Sequence, residues 1–187
     1  SDIDINKAEE EGCTALYVAS QEGHDEVVRI LLSKSDIDIN KADDEGTTAL
    51  YIASDNNHIE VVRLLLSKSD IDINKAMDDG VTALYVASQN GHVEVVRLLL
   101  SKSEIDINKA RDSGATALYI ASENNHVDVV QLLLSKSNID INKATKNGYA
   151  PLYIASENNY VQIVRSLISK SDIDINKAEE EGCTALY

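Results

Sequence analysis

Residues 69–102 read SDIDINKAMDDGVTALYVASQNGHVEVVRLLLSK, and this stretch returns along the whole chain. Residues 35–68 are identical to it at 27 of 34 positions. The 187 residues form five such repeats, 1–34, 35–68, 69–102, 103–136 and 137–170, followed by a half repeat, 171–187. A fixed period of this length is typical of arrays in which each unit stacks on the next. The sequence therefore predicts one domain, 1–187, built as a solenoid.

Each repeat carries the signals of two short helices and a connector. In the second repeat, Thr48 is a good N-cap for an apolar segment, 49–54, and a more strongly apolar helix is predicted over 59–67. Turn-forming residues, 55–58, separate the two helices. The alternating Asp and Ile that open the next repeat predict a hairpin-like finger over 69–80, with Ile facing inward and Asp facing water. Helices this short are marginal alone, so the predicted all-α units must be stabilised by stacking.

Composition indicates an aliphatic core and disfavours nucleic acids and anionic membranes as partners. The chain has no Phe or Trp, yet 43% of its residues are hydrophobic. Its 32 acidic and 17 basic residues give a net charge of −15, which repels nucleic acids and anionic membranes. No apolar run approaches the about 20 residues that span a bilayer, and residues 1–7 do not have the order of a secretory signal. We expect a soluble, intracellular and cytoplasmic protein with no nucleic-acid or membrane partner.

The repeat resembles the ankyrin repeat in the motifs that stand in its third copy. They are Gly80-Val-Thr-Ala-Leu-Tyr85, Ala87-Ser88, Gly91-His92, Val95-Val96, the leucines 98–100 and the finger segment Asp72-Ile73-Asn74. Two features depart from the family pattern: Tyr replaces a His at 17, 51, 85, 119, 153 and 187, and the helix-opening Pro is kept only at Pro151. The resemblance implies stacked helix–loop–helix units that bind proteins and do not catalyse a reaction. Tetratricopeptide repeats share the period but require Trp, Phe and two long helices, so the sequence disfavours them.

The histidines and acidic residues that could bind a metal ion recur at spacings that do not suit metal binding. His24, His58, His92 and His126 lie one repeat apart, about 10 Å, whereas zinc holds nitrogen ligands at about 2.0–2.1 Å. The resemblance implies that they are structural residues of the loop between the helices. The acidic fingers lack the Gly and Glu that a calcium loop needs at its sixth and twelfth places. Nucleophile and phosphate-binding motifs are also lacking. We expect no metal, no cofactor and no enzymatic activity.

The two cysteines, Cys13 and Cys183, occupy equivalent positions five repeats apart. Stacked helices lie about 8–10 Å apart, so these thiols are separated by far more than the roughly 7 Å between Cα atoms that a disulfide tolerates. The sequence therefore predicts no internal disulfide.

We expect the binding surface where the repeats differ, because stacking explains the residues that they share. The resemblance places these positions on a concave face made by the finger tips and the ends of the first helices. The finger-tip set is Glu10, Glu11, Cys13, Asp44, Glu45, Thr47, Met77, Asp78, Asp79, Val81, Arg111, Asp112, Ala115, Lys146, Asn147 and Tyr149. The helix-end set is Gln21, Glu22, Asp55, Asn56, Gln89, Asn90, Glu123, Asn124, Glu157 and Asn158.

The charges of the tips indicate the kind of partner. Because the tips are acidic in three repeats and mixed or basic in the next two, we expect a basic or mixed-charge protein segment, anchored near Met77, Val81 and Tyr149. The alternative is that acidic tips only keep the array soluble.

A second function is suggested by the ends of the chain. Residues 171–187 are identical to residues 1–17, as expected of a piece of a longer or engineered array. Neither end has the polar cap that soluble solenoids need, and the first repeat has the apolar residues of an interior unit. The alternative function is therefore structural: head-to-tail self-association into a rod, spring or filament.

Overall fold

The structure, a computed structural model, describes residues 4–176, apart from the side chain of Glu10. Ten α-helices and no strand occur in this part of the chain, which confirms the all-α prediction. The helices are α1 Ala15–Gln21, α2 Asp25–Leu31, α3 Ala49–Asp55, α4 Ile59–Leu66, α5 Ala83–Gln89, α6 Val93–Leu99, α7 Ala117–Glu123, α8 Val127–Leu134, α9 Pro151–Glu157 and α10 Val161–Ile168. Each of the five repeats thus holds two helices, and most of the predicted half repeat, 177–187, lies outside the described residues.

Threonine sets the start of the first helix in four repeats. The hydroxyl oxygen of Thr48 accepts a hydrogen bond of 3.1 Å from the backbone N–H of Tyr51, and Thr14, Thr82 and Thr116 cap in the same way. This bond satisfies one of the N–H groups that a helix leaves unpaired at its start. The fifth repeat has Ala150 at the cap and Pro151 in the first turn, so it loses the cap but also has one N–H fewer to satisfy.

The fingers are hairpin-like, as predicted. Isolated antiparallel bridges join Ala8 to Thr14, Ala42 to Thr48, Ala76 to Thr82 and Ala110 to Thr116, so each of these fingers folds back on itself just before a first helix. The second Ile is buried in the four fingers between repeats, with Ile39 at 2% exposure and Ile107 at 1%, whereas Ile5 is half-buried and Ile175 is 41% exposed; the aspartates that precede the buried isoleucines are exposed. The fingers therefore add to the core through isoleucine.

Two rows of helices are stacked on each other. Each first helix packs on the first helix of the next repeat, and each second helix on the next second helix. The core is a continuous aliphatic cluster that includes Val62, Leu65, Val96, Leu99 and Leu133, all fully buried. The first helices contact one another more extensively than the second helices do.

An asparagine ladder joins consecutive fingers. Asn74 donates a hydrogen bond of 2.7 Å to the carbonyl of Glu104, and its Oδ1 accepts one of 2.8 Å from the N–H of Asp106. Lys109 donates a bond of 2.8 Å to the carbonyl of Asn74. The same asparagine bonds recur in the other repeats; we call Asn6, Asn40, Asn74, Asn108 and Asn142 the asparagine ladder. The repeats are thus held together by directional bonds as well as by the core.

None of the helices in residues 4–176 is long and apolar enough to cross a membrane.

Candidate protein-binding groove

Fingers and first helices of the third to fifth repeats enclose a groove of 490 Å³, which we call the concave groove. One wall comes from two fingers, and the other wall and the floor come from α5 and α7. The lining residues are Tyr85, Gln89, Arg111, Ser113, Ala115, Tyr119, Ile120, Glu123, Thr145, Lys146, Asn147 and Tyr149. The predicted finger-tip and helix-end sets therefore do share a surface at Gln89, Arg111, Glu123, Lys146 and Tyr149.

A small apolar cluster forms the floor of the groove and is separate from the main core. It contains Tyr85 at 3% exposure and Tyr119 at 7%, together with Val81, Val86, Ala115, Ile120 and Ile154; Tyr51, Met77 and Tyr149 pack against it half-buried. The ring of Tyr149 stacks on that of Tyr153, with centroids 5.0 Å apart and planes inclined by 23°. Rings with a polar hydroxyl at one end suit a surface that is partly apolar and partly wet.

Burial and neighbouring carboxylates keep the tyrosine hydroxyls protonated. Burial, and then the charge of Asp55, raise the pKa of Tyr51 to about 12. Burial also raises the pKa of Tyr119, whose hydroxyl donates a hydrogen bond of 3.2 Å to Glu123. The hydroxyls of Tyr51 and Tyr119 therefore stay protonated above the pH at which an exposed tyrosine ionises, and they can donate and accept hydrogen bonds.

Arg111 breaks the repeat symmetry of the groove. Its Nη2 lies 2.8 Å from Oδ2 of Asp79, and its guanidinium lies over the ring of Tyr85, 5.8 Å from the centroid. Its Nε is buried and has no acceptor among the described residues. The ion pair, in which both side chains are more than a third exposed, is screened by water, so its main effect is to fix the guanidinium over the ring.

The structure divides the predicted finger-tip residues into exposed and packed groups. Glu11, Asp44, Glu45, Asp78, Asp112, Lys146 and Asn147 are exposed, Cys13, Met77, Asp79, Arg111 and Tyr149 are half-buried, and nothing is described for the side chain of Glu10. Thr47, Val81 and Ala115 are buried, Val81 at 7% exposure. Val81 packs under Tyr85 and Tyr119 in the floor cluster, so it supports the groove and presents little surface of its own.

Three residues of the helix-end set have a stacking role that the sequence did not reveal. The side-chain amides of Asn56, Asn90 and Asn124 donate hydrogen bonds of 3.1, 3.2 and 2.9 Å to backbone carbonyls of the preceding repeat, at Gln21, Asp55 and Gln89. Asn158 instead donates to Ile154 of its own helix. Gln21, Glu22, Gln89 and Glu157 are exposed, while Asp55 and Glu123 are half-buried. The side chains of this set that remain outward are therefore mainly Gln and Glu.

The histidines have the structural role that the resemblance implied. Nε2 of His58, His92 and His126 lies 2.9, 2.8 and 2.8 Å from the carbonyl oxygen of Gln21, Asp55 and Gln89. Each ring therefore donates from Nε2 to the preceding repeat. In residues 4–176, no three His, Cys, Asp or Glu side chains are grouped so that they could hold a metal ion.

Cys13 is half-buried, and burial followed by the charge of Asp43 raises the pKa of its thiol. A raised pKa lowers the fraction of reactive thiolate at neutral pH. Cys183 lies outside the described residues, so the predicted absence of an internal disulfide stays a prediction.

Two rows of short helices, projecting fingers and a concave groove define a helical solenoid of stacked repeats. The ankyrin-repeat pattern of three copies matches residues 1–77 and 69–145, and the single ankyrin-repeat pattern matches residues 147–178. The chain belongs to the ankyrin repeat family. Proteins of this family are generally protein-interaction modules and are typically non-catalytic.

A solved structure agrees with this assignment. The crystal structure of EF0377, an ankyrin repeat protein, superposes with a TM-score of 0.85 at 29% sequence identity and covers 96% of this chain and 90% of its own. The search of curated proteins gave no match.

Proposed function

We propose that this chain is a non-catalytic scaffold that binds a segment of a partner protein in the concave groove. The observation that carries the proposal is the groove itself, a space of 490 Å³ with an aromatic floor, in the part of each repeat that varies. The stacking core accounts for the shared residues, whereas the exposed charges of the finger tips have no comparable internal role. Concave sites with an apolar floor and a few polar groups are where proteins usually bind ligands.

The acidic tips are expected to attract a basic or mixed-charge segment. Asp44, Glu45 and Asp78 are exposed, and their side chains make no hydrogen bond or ion pair within residues 4–176. Carboxylates of one sign along one rim raise the rate at which an oppositely charged segment arrives. Binding should therefore weaken as salt is added.

A matched pair of triple variants tests the proposal. Asp44→Asn, Glu45→Gln and Asp78→Asn remove three tip charges, whereas Asp36→Asn, Asp70→Asn and Glu104→Gln remove three exposed charges at the base of the fingers. Random peptides of 15 residues are selected on the wild-type chain by phage display, and their affinities are then measured by fluorescence anisotropy.

We expect the tip variant to lose at least tenfold in affinity for the selected peptides and the base variant to change less than twofold. Equal binding by both variants, or the selection of no peptide, would contradict the proposal. Circular dichroism establishes that both variants are folded.

A second candidate function, head-to-tail self-association, is favoured by apolar side chains on the outer repeats. Val27 is 46% exposed in the first repeat although its counterpart Val61 is 1% exposed, and Ile168 is 51% exposed in the fifth repeat although its counterpart Leu134 is 5% exposed. Surfaces that are complementary but not identical form contacts that propagate. Within the array, neighbouring repeats bury the equivalent side chains Val61 and Leu134. A second copy of the chain would bury Val27 and Ile168 in the same way.

Sedimentation velocity of the 187-residue chain over a hundredfold range of concentration tests this candidate. Self-association predicts growth without a fixed limit, which Val27→Lys combined with Ile168→Lys abolishes. A single monomeric species at every concentration would exclude it.

A further inference from the structure

The two ends of the finger rim carry opposite free charge. In the first four repeats, the exposed carboxylates of Glu11, Asp44, Glu45, Asp78 and Asp112 take part in no ion pair among the described residues. In the fifth repeat, Lys146 is exposed and likewise has no ion-pair partner in residues 4–176. A ligand lying along the rim therefore meets negative charge first and positive charge last.

Between the acids of the third and fourth repeats, Asp79 and Arg111 neutralise each other. Oδ2 of Asp79 is held by Arg111 at 2.8 Å, and its Oδ1 accepts a bond of 3.1 Å from the N–H of Val81. Both oxygens of Asp79 are therefore occupied, and Arg111 is held over Tyr85. Lys146 remains as the free cation of this rim in the described chain.

Lys146 is fixed in place by its backbone. Its N–H donates a bond of 2.8 Å to the carbonyl of Ser113 in the preceding finger, and the N–H of Gly148 closes the turn with a bond of 2.9 Å to the carbonyl of Thr145. Lys146 lines the groove together with Tyr119 and Tyr149, whereas the acid on the opposite wall, Glu123, already accepts from the Tyr119 hydroxyl. An acidic side chain of a ligand would therefore turn toward the fingers.

The stacking distance sets the spacing between the two charges. Neighbouring repeats are about 8–10 Å apart, and an extended chain advances about 3.3 Å per residue, so one repeat corresponds to about three ligand residues. Glu45 and Lys146 belong to the second and fifth repeats. Three repeats separate them, which corresponds to about nine residues of an extended ligand.

We infer that an extended peptide binds in one orientation along the finger tips and into the concave groove. Its Lys or Arg residues lie at the finger tips of the first three repeats and, about nine residues away, an acidic residue lies at Lys146 next to an apolar side chain on the floor of the groove. This inference rests on the proposed function and adds the charge order and direction of the bound segment. Glu11, Asp44, Glu45 and Asp78 hold the basic end, Lys146 holds the acidic end, and the half-buried Tyr149 contacts the apolar side chain.

Three synthetic peptides and two variants test the inference. The bipolar peptide has three lysines at one end and a Leu-Glu pair about nine residues away; the second has the same composition in mixed order, and the third has Gln in place of the Glu. Lys146→Glu is compared with Lys34→Glu, a matched change of charge at an exposed residue in the loop after α2. Affinities are measured by fluorescence anisotropy at low salt.

The wild-type chain should bind the bipolar peptide at least tenfold more tightly than the mixed peptide. Lys146→Glu should remove at least tenfold of that affinity but change binding of the Gln peptide by less than threefold, and Lys34→Glu should change neither by more than twofold. A bipolar peptide with Lys in place of the Glu should regain affinity for Lys146→Glu. Equal effects of the two variants, or equal binding of the bipolar and mixed peptides, would overturn the inference.

Paramagnetic broadening of amide signals measures the orientation of the bound peptide independently. A nitroxide at the acidic end of the bipolar peptide should broaden the amides of residues 145–148 and leave those of residues 43–46 sharp; the reverse pattern overturns the inference. A failure of the proposed function gives a different result. In that case no peptide binds the wild-type chain, or the tip variant binds the selected peptides as tightly as the wild type does. If the tip variant has an equally reduced affinity for all three peptides, the scaffold proposal stands and the charge order does not.

Discussion

His92 illustrates how a single side chain can join two repeats. Its ring lies at the start of α6 and donates from Nε2 to the carbonyl of Asp55 at the end of α3, 2.8 Å away. That carbonyl belongs to the last turn of its helix, where no backbone N–H of the same helix is available. His24 occupies the same position in the first repeat and is exposed.

We expect His92→Ala to lower the free energy of unfolding by about 1–2 kcal/mol, because it leaves a helix-end carbonyl without its partner. His24→Ala, the matched control, should cost less than about 0.5 kcal/mol, as exposed substitutions usually do. Urea denaturation followed by circular dichroism measures both. Equal losses in the two variants would show that the histidine acts within its own repeat.

The tyrosine floor predicts a loss of stability in alkali. The pKa of Tyr51 is raised to about 12 in the folded chain, mainly by burial, against an unfolded value of about 10. A raised pKa means that the protonated form is favoured by folding, so this contribution is complete below about pH 10 and is lost as the pH rises toward 12. Tyr51→Phe should therefore lose less stability than the wild type between pH 10 and pH 12. Parallel stability curves of the two proteins would be inconsistent with the burial of this hydroxyl.

Residues that act within their own repeat could be predicted from the sequence, and residues that act across repeats mostly could not. Thr48 precedes an apolar helical pattern, so its capping role follows from local sequence. Asn90 looks like a variable helix-end residue, yet its amide reaches the carbonyl of Asp55, 35 positions earlier. Val81 differs between repeats but is buried by tyrosines of two helices. Only stacking brings these partners together, and a local pattern does not contain that information.

At the level of the elements, the fingers do more than project from the stack. The alternation of Asp and Ile predicted which side chains are buried, and the structure agrees. It did not predict the asparagine ladder, in which Asn74 bonds to residues 30 and 32 positions later. The signal was the presence of Asn-Lys at the same place in every finger.

Asn74→Ala should destabilise the array by about 1–3 kcal/mol, because two backbone groups of the next finger lose their partner. Asn138→Ala is the matched control: its side chain is exposed and outside the ladder, and only its backbone carbonyl accepts a bond, from Asn108. Thermal unfolding by differential scanning calorimetry compares them. If Asn138→Ala is as harmful as Asn74→Ala, the ladder adds nothing to the coupling between fingers.

At the level of the whole molecule, the fold consists of contacts between neighbours. Helices pack within a repeat or on the equivalent helix of the next repeat, and the core continues from one repeat to the next without a centre. The stability of such an array is approximately a sum of unit and interface contributions. The sequence predicted this architecture because its period is regular. The position of the groove could be predicted only as the region where repeats differ, since its floor depends on how Tyr85 and Tyr119 pack against neighbouring fingers.

Each repeat is stable because its neighbours cover it on both sides. Val95 in α6 is fully buried between two repeats, whereas the equivalent Val27 in α2 is 46% exposed. Native-state hydrogen exchange, resolved by residue, tests the claim directly because it measures the local opening free energy. Mutual coverage of the repeats predicts the slowest exchange in α5 and α6 and progressively faster exchange toward α1 and α2 and toward α9 and α10. Equal protection in all five helix pairs, or the slowest exchange in α2, would contradict it.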